Sequence, residues 1–281
     1  MLCMVCDQQK VIYASGNVID VKRGMVLVKN MVLGLVSLGT GNPCDALRRG
    51  SIIAIGRVIE APTRVGVELV GRAIFYTPHI YEEMVCGFSE GDPSEAIEII
   101  GSDSPSSREL VSFEASLALR YVRRAGASPL IVGEGFLPHL TLYVLQLSGI
   151  RGYTIERSFR GVDVISLNAE NAAGRRYSSI YIAGLPSDAE KRVLETLSMA
   201  GGLKIYIHPL LKSERIYIPI GDRIYTRVLR YSAPSPRAFE VASRFVRVAR
   251  GYSYVEISID EEPPAMGDFI VISFQKSQGS I

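Results

Sequence analysis

Over residues 1–100 the apolar positions fall in short runs rich in β-branched and aromatic side chains. The runs are Met25 to Val32, Ser51 to Glu60 and Gly66 to Tyr76, punctuated by glycine and proline. That pattern predicts strands of a small barrel or sandwich. Residues 87–107 are rich in Ser, Asp, Pro and Gly and read as a connection. Ser106 or Ser107 then caps a helix, with Glu109 at its positive end. Leu110, Phe113, Leu117, Tyr121 and Val122 carry that helix to an Arg-Arg-Ala-Gly stop at 123–126.

Beyond it the rhythm changes. Leu130, Ile131 and Val132 form an all-apolar run without polar alternation, as in a strand buried on both faces of a parallel sheet. Gly133 and Gly135 follow, and Pro138 suits the first turn of a helix. Leu140, Leu142, Tyr143, Val144 and Leu147 recur at helical spacing until Gly149. Tyr153 to Ile155 make a second strand, and Glu156 stands at its end, 21 residues after Gly135. Strand, glycine turn, helix, strand and acid in this order is the layout of a dinucleotide-binding βαβ unit. Two details depart from the fingerprint. Pro138 takes the place of a small third residue, and Glu134 sets a carboxylate where a pyrophosphate would lie, an unfavourable like-charge pair. Strands are expected at Val162 to Leu167, Ser179 to Ala183 and Leu203 to Ile207, with a helix from Asp188 to Ala200 begun by Ser187. Strands alternating with helices imply a parallel sheet with right-handed crossovers. Arg215 to Ile220 and Arg223 to Tyr231 read as extended, Ser235 to Arg250 as a helix, and Val255 to Ile259 and Phe269 to Phe274 as late strands.

The 281 residues allow two domains, and the 47% hydrophobic content supplies a sizeable core. A formal charge of +2 argues against nucleic acid or a membrane surface as a partner held by bulk electrostatics. Cys3, Cys6, Cys44 and Cys86 do not make a disulfide framework in a chain of this size, and Cys3 and Cys6 read as two small hydrophobes on an edge strand. With no signal segment and no long apolar run, the expected location is cytoplasmic.

Several phrases, in order, resemble the medium-chain dehydrogenase/reductase superfamily, the zinc alcohol dehydrogenases and their zinc-free relatives. They are Arg23-Gly24-Met25-Val26-Leu27-Val28-Lys29, Gly56-Arg57-Val58-Ile59-Glu60, the Leu119-to-Gly126 helix end, the Gly133/Gly135 turn, Glu156-Arg157-Ser158 and Ala200-Gly201-Gly202. The resemblance implies an α/β fold: a Rossmann-type doubly wound parallel sheet with a reduced GroES-like β domain. It puts the GroES-like domain at 1–108, completed by about 251–281, and the dinucleotide-binding domain at 109–250. It also implies a homodimer paired through edge strands near Arg223–Tyr231. Departures from the zinc class are specific. Gly34-Leu35-Val36-Ser37-Leu38-Gly39 stands where a cysteine ligand is expected, Ser51-Ile52-Ile53 replaces Gly-His-Glu, and only Cys86 lies near the structural zinc lobe. No zinc is expected, because three converging N, S or O ligands cannot be assembled.

Candidate chemistry is sparse. Gly133 and Gly135 would approach a dinucleotide, and Glu156 would accept the ribose hydroxyls, favouring NAD, whereas Arg157 or Arg160 would cover adenine or take the 2′-phosphate of NADP. The alternative for Glu156 is a solvated acid at a strand end. His208, after Leu203–Ile207, is the candidate catalytic residue, with a pKa suited to proton transfer; the alternative is a loop histidine bonded ahead of Pro209. His139 would meet a phosphate at a helix start or stand exposed. The sequence shows no evident carboxylate or cysteine to go with His79, and Ser37, Thr40, Asn42 and Asp45 would bond a substrate or build turns. The reading is a zinc-independent NAD(P)-dependent oxidoreductase acting on a small alcohol, carbonyl or quinone. Its rivals are a catalytically degenerate relative that binds a nucleotide, ligand or partner subunit, and a Rossmann enzyme using another nucleotide.

Overall fold

The computed structural model describes residues 2–7, 10–16, 21–64, 66–80, 83–100, 105–199, 202–212, 214 and 224–274. The chain forms two units: residues 1–37, 41–111 and 254–281 make the first, and 38–40 with 112–253 the second.

In chain order the first unit begins with β1 (Leu2–Asp7), β2 (Lys10–Ser15), β3 (Val26–Val36), α1 (Pro43–Arg49), β4 (Ile52–Glu60), β5 (Ala73–Tyr76), β6 (Met84–Cys86), β7 (Phe88–Gly91) and β8 (Ile97–Glu98). Next come α2 (Ser107–Ala125), β9 (Pro129–Val132), α3 (Phe136–Leu147), β10 (Gly152–Ile155), β11 (Val164–Leu167), α4 (Ala169–Ala173), β12 (Ser179–Ile182), α5 (Asp188–Met199), β13 (Lys204–Ile207), β14 (Tyr225–Val228) and α6 (Pro236–Ala249). The chain returns to the first unit in β15 (Tyr254–Ser258) and β16 (Phe269–Ser273).

β3 organises the first unit. Its first half pairs with β7 and its second with β16, while β4 runs along its other side, giving a sheet ordered β15-β16-β3-β4-β5-β8. The register slips around Asn30, as at a β-bulge. Its buried amide is satisfied there: Nδ2 donates to the Cys86 carbonyl (2.7 Å) and to Ser89 Oγ (2.8 Å), and the Tyr76 hydroxyl donates to Oδ1 (2.6 Å). Val26, Val28, Ala54, Val58, Ile74 and Tyr76 pack on one core, and Leu33, Leu35, Leu47, Ile52, Ile270 and Ile272 belong to another.

Several expectations need correction in this unit. The cysteines are paired as Cys3–Cys86 and Cys6–Cys44, and β1 is the middle strand of the sheet β2-β1-β6 rather than an edge. Cys3 and Cys86 face each other across β1 and β6, which no sequence spacing announces. The stretch from Gly66 to Tyr76 contains a short 3₁₀ turn, Val67–Leu69, ahead of β5. The supposed connection at 87–107 contributes β7 and β8. Asn42 and Asp45 build α1: Asn42 Oδ1 accepts the Cys44 N–H (2.9 Å), and Asp45 lies in the first turn.

The second unit is a six-stranded sheet, β11-β10-β9-β12-β13-β14, with every recorded pairing parallel. β9 lies between β10 and β12 and is wholly buried, which is why its run shows no alternation. The strand order reverses at β9, so right-handed crossovers send the connecting helices to opposite faces. This is the Rossmann-type doubly wound arrangement. α2 stacks Tyr121 on Tyr181 of β12 (4.6 Å between ring centres), and α3 meets α6 through Phe136 and Phe245 (5.3 Å). Ser106 N–H donates to Glu109 (2.8 Å), closing the start of α2. Residues 200, 201, 215–220 and 223, where part of the sequence reading fell, lie outside the described residues.

Candidate functional site

The turn after β9 lies where the strand order reverses, outside the carboxyl end of the central strand. Gly133 has φ +104°, and a Cβ there would stand 2.5 Å from backbone atoms of Gly184 at the end of β12. Only glycine permits that approach. Gly135 is the N-cap of α3, and no side chain caps the helix.

Glu190 holds the turn from below. It is fully buried in the first turn of α5, and its Oε1 accepts the Gly133 N–H (2.9 Å) while Oε2 accepts the Ser187 N–H (2.7 Å). Ser187 Oγ in return accepts the Glu190 N–H (3.2 Å), completing a capping box. Arg157, after β10, forms an ion pair with Glu134 through Nη1, and its Nε lies 3.6 Å from Glu190 Oε1, too far for a hydrogen bond. That Nε is buried without a hydrogen-bond partner. The Glu134 charge thus has a counter-ion that the linear sequence does not reveal.

Residues 38–40 belong to this unit. The Leu38 carbonyl accepts the Leu185 N–H (2.9 Å), and Gly39 (φ +100°) lies so close that a Cβ would stand 2.7 Å from the Glu134 carbonyl oxygen. Backbone therefore packs directly against the turn. Glu156 stands at the end of β10 with φ +53°, its N–H bonded to the Leu167 carbonyl (2.8 Å) and its side chain exposed. Arg160 is exposed as well.

The two histidines of this unit sit away from solvent. His139 is fully buried, which corrects the expectation of an exposed or phosphate-facing residue. Its Nε2 donates to the Arg160 carbonyl (2.8 Å), its Nδ1 meets Ser253 Oγ (3.1 Å), and Phe159, Phe245 and Tyr252 surround the ring. Burial lowers its pKa, with the Arg160 carbonyl opposing. His208 accepts the Leu210 N–H at Nδ1 (3.3 Å), so its proton is on Nε2, which donates to Glu114 Oε2 (2.8 Å). Tyr231 donates to the other oxygen of Glu114 (2.7 Å). Burial and the Glu114 charge together hold the Tyr231 hydroxyl well above its ordinary pKa. His208, only 1% exposed, closes a buried His–Glu–Tyr network.

Sequence reasoning missed Glu190, Glu114 and Tyr231. For Glu190 a signal existed in the Ser187-x-x-Glu190 capping box; for the other two only the tertiary fold brings the groups together. In the first unit, Ser37 Oγ donates to Asp268 (3.3 Å) and accepts the Gly41 N–H (3.2 Å). Among the described residues no three or more His, Cys, Asp or Glu side chains are placed to hold a metal ion, and all four cysteines are in disulfides.

No protein-family model and no curated protein sequence matches the chain. Solved structures do. An alcohol dehydrogenase from Escherichia coli CFT073, complexed with NADH, matches over 97% of this chain and 98% of its own, with a TM-score of 0.55 at 12% identity. An oxidoreductase from Salmonella enterica in complex with NADP matches over 98% and 99%, with a TM-score of 0.55 at 14% identity. Glucose dehydrogenase from Haloferax mediterranei, in complex with NADP, zinc and gluconolactone, matches over 98% and 99%, with a TM-score of 0.53 at 12% identity. The chain shares its fold with these solved dehydrogenases and oxidoreductases.

Proposed function

We propose that this chain is a zinc-independent NAD(P)-dependent oxidoreductase of medium-chain type, acting on a small alcohol, carbonyl or quinone. The observation that carries the reading is the Gly133–Gly135 turn at the strand-order reversal, leading into a helix that no side chain caps. Such a helix start offers N–H groups and the positive end of a dipole to a pyrophosphate. The residues fit the cofactor's two polar regions. Arg157 neutralises Glu134 beside the phosphate position, and Glu156 presents an exposed carboxylate to an adenosine ribose. Arg157 is paired with Glu134 and lies beside Glu190, so it is withheld from a 2′-phosphate, which together with the Glu156 carboxylate favours NAD. When bound, the nicotinamide supplies the hydride, and the chain's part is to orient it and exclude water. Val36 and Leu38, at the positions of a zinc ligand and a proton relay in the zinc class, support a zinc-free reaction. In this reading 109–250 binds the dinucleotide, and 1–108 with 251–281 forms the GroES-like domain. The protein works as a homodimer in the cytoplasm. Its disulfides suit a cytosol that tolerates them, as in hyperthermophiles.

One observation favours a second reading, a relative that binds a nucleotide or partner without turnover: Leu38 and Gly39 pack backbone onto the glycine turn. Titration with NADH and NADPH, followed by nicotinamide fluorescence and melting temperature, separates the two. A ligand bound only by the folded state raises its melting temperature. Binding with turnover of alcohols, aldehydes or quinones supports the oxidoreductase, and binding without it supports the second reading. No response to either cofactor at millimolar concentration overturns the oxidoreductase. Glu156→Ala is expected to weaken NADH more than NADPH; equal weakening counts against its assigned role.

A further inference from the structure

The C-terminal half of α2 and the segment joining β14 to α6 line a half-open cavity of about 430 Å³. Arg120, Arg123 and Arg124 line it with Ser116, Ser232 and Ser235, and no carboxylate does. The three arginines stand three and four residues apart, so one side of the helix carries them all. Like charges at that spacing oppose each other. The negative end of the helix explains Arg123 and Arg124 in the last turn. It does not explain Arg120, a full turn earlier.

Their hydrogen bonds orient them without neutralising them. Arg120 Nη1 donates to the Arg230 carbonyl (2.5 Å), and Arg124 Nη1 to the Arg120 carbonyl (2.7 Å). Elsewhere Arg48, Arg72, Arg151, Arg157 and Arg244 each face a carboxylate. Among the described residues none of the three cavity arginines does. Burial lowers the pKa of Arg120, and the charges of Arg124 and Arg227 lower it further. Among the described residues, positive charge is concentrated around this hollow with no carboxylate paired to it. Ser235 is also the N-cap of the 14-residue helix α6, whose positive end adds to the same field.

We propose that this cavity binds a small molecule carrying a phosphate ester or diphosphate group, at a site distinct from the glycine turn. Guanidinium groups match phosphate oxygens in charge and in fork geometry. Serine hydroxyls donate to the remaining oxygens. The volume falls within the range of small-ligand pockets.

Calorimetric titration of the full chain with pyrophosphate, at constant ionic strength set by chloride, tests the site. Saturable binding is expected, weakened about tenfold or more by Arg120→Gln and by Arg123→Gln. Arg123 is exposed, so its substitution leaves the fold intact. Three results overturn the proposal: chloride alone reproducing the effect, both variants binding as the parent does, or a single-stranded oligoribonucleotide binding more tightly than pyrophosphate. Because NADH affinity is read separately in the same variants and is expected to stay unchanged, failure here is distinct from failure at the glycine turn.

Discussion

Glu190 is buried without exposure, yet both of its oxygens accept backbone N–H groups, one from its own helix start and one from the glycine turn 57 residues away in sequence. Glu190→Ala leaves two N–H groups without an acceptor, and the expected loss is about 2 kcal/mol or more, read by chemical denaturation. Glu190→Gln, which keeps an acceptor oxygen, is expected to cost less. His139 carries a pH signature. Its folded pKa lies below the ordinary 6.5 because burial disfavours the imidazolium. The unfolded chain then binds more protons below about pH 6.5, so the stability His139 contributes is full above that value and is lost as pH falls towards the folded pKa. Melting temperatures between pH 7 and 5 should drop more steeply in the parent than in His139→Gln; parallel curves count against the assignment. The glycine turn and Glu156 can be read from the linear order because local geometry demands those residue types. Glu190, Glu114 and the Arg157–Glu134 pair cannot, since each depends on elements brought together only by the sheet.

β9 is all-apolar and β12 is wholly buried because parallel neighbours and covering helices bury both faces, and sequence pattern alone reaches them. α1 escaped because it has only seven residues, begins with Pro43-Cys44, and sits among turn-forming side chains. The disulfides escaped for a different reason: spacing along a chain carries no pairing information when the partners lie 83 and 38 residues apart. They fasten β1 to β6 and to α1. Each closes a long loop and is expected to contribute about 2–4 kcal/mol. Reductant should therefore lower the melting temperature of the parent and leave a variant with Cys3 and Cys6 both changed to Ser unmoved. A parent insensitive to reductant would contradict the pairing.

At the level of the whole molecule, β14 is an outermost strand of the six-stranded sheet among the described residues, and all four of its residues are exposed. The Tyr225 and Leu229 N–H groups point to β13, so alternation turns those of Thr226 and Val228 outward. Thr226→Pro removes an outward donor while sparing the inner ladder. It is expected to convert the proposed homodimer to monomer, as measured by light scattering after size exclusion; a parent that is already monomeric removes the dimer from the reading. The sequence of β3, β4 and β5 shows their extended character, whereas the return of β15 and β16, more than two hundred residues after β3, to complete its sheet follows only from what the family resemblance implies. That arrangement has a consequence for synthesis on the ribosome. Residues 112–253 emerge with their own sheet complete, whereas the Val32–Val36 half of one flank of β3 stays bare until Phe269–Ser273 leaves the exit tunnel. A nascent chain stalled before that point carries an unpaired ladder of N–H and carbonyl groups, the kind of edge that recruits other strands, and chaperone demand should peak there.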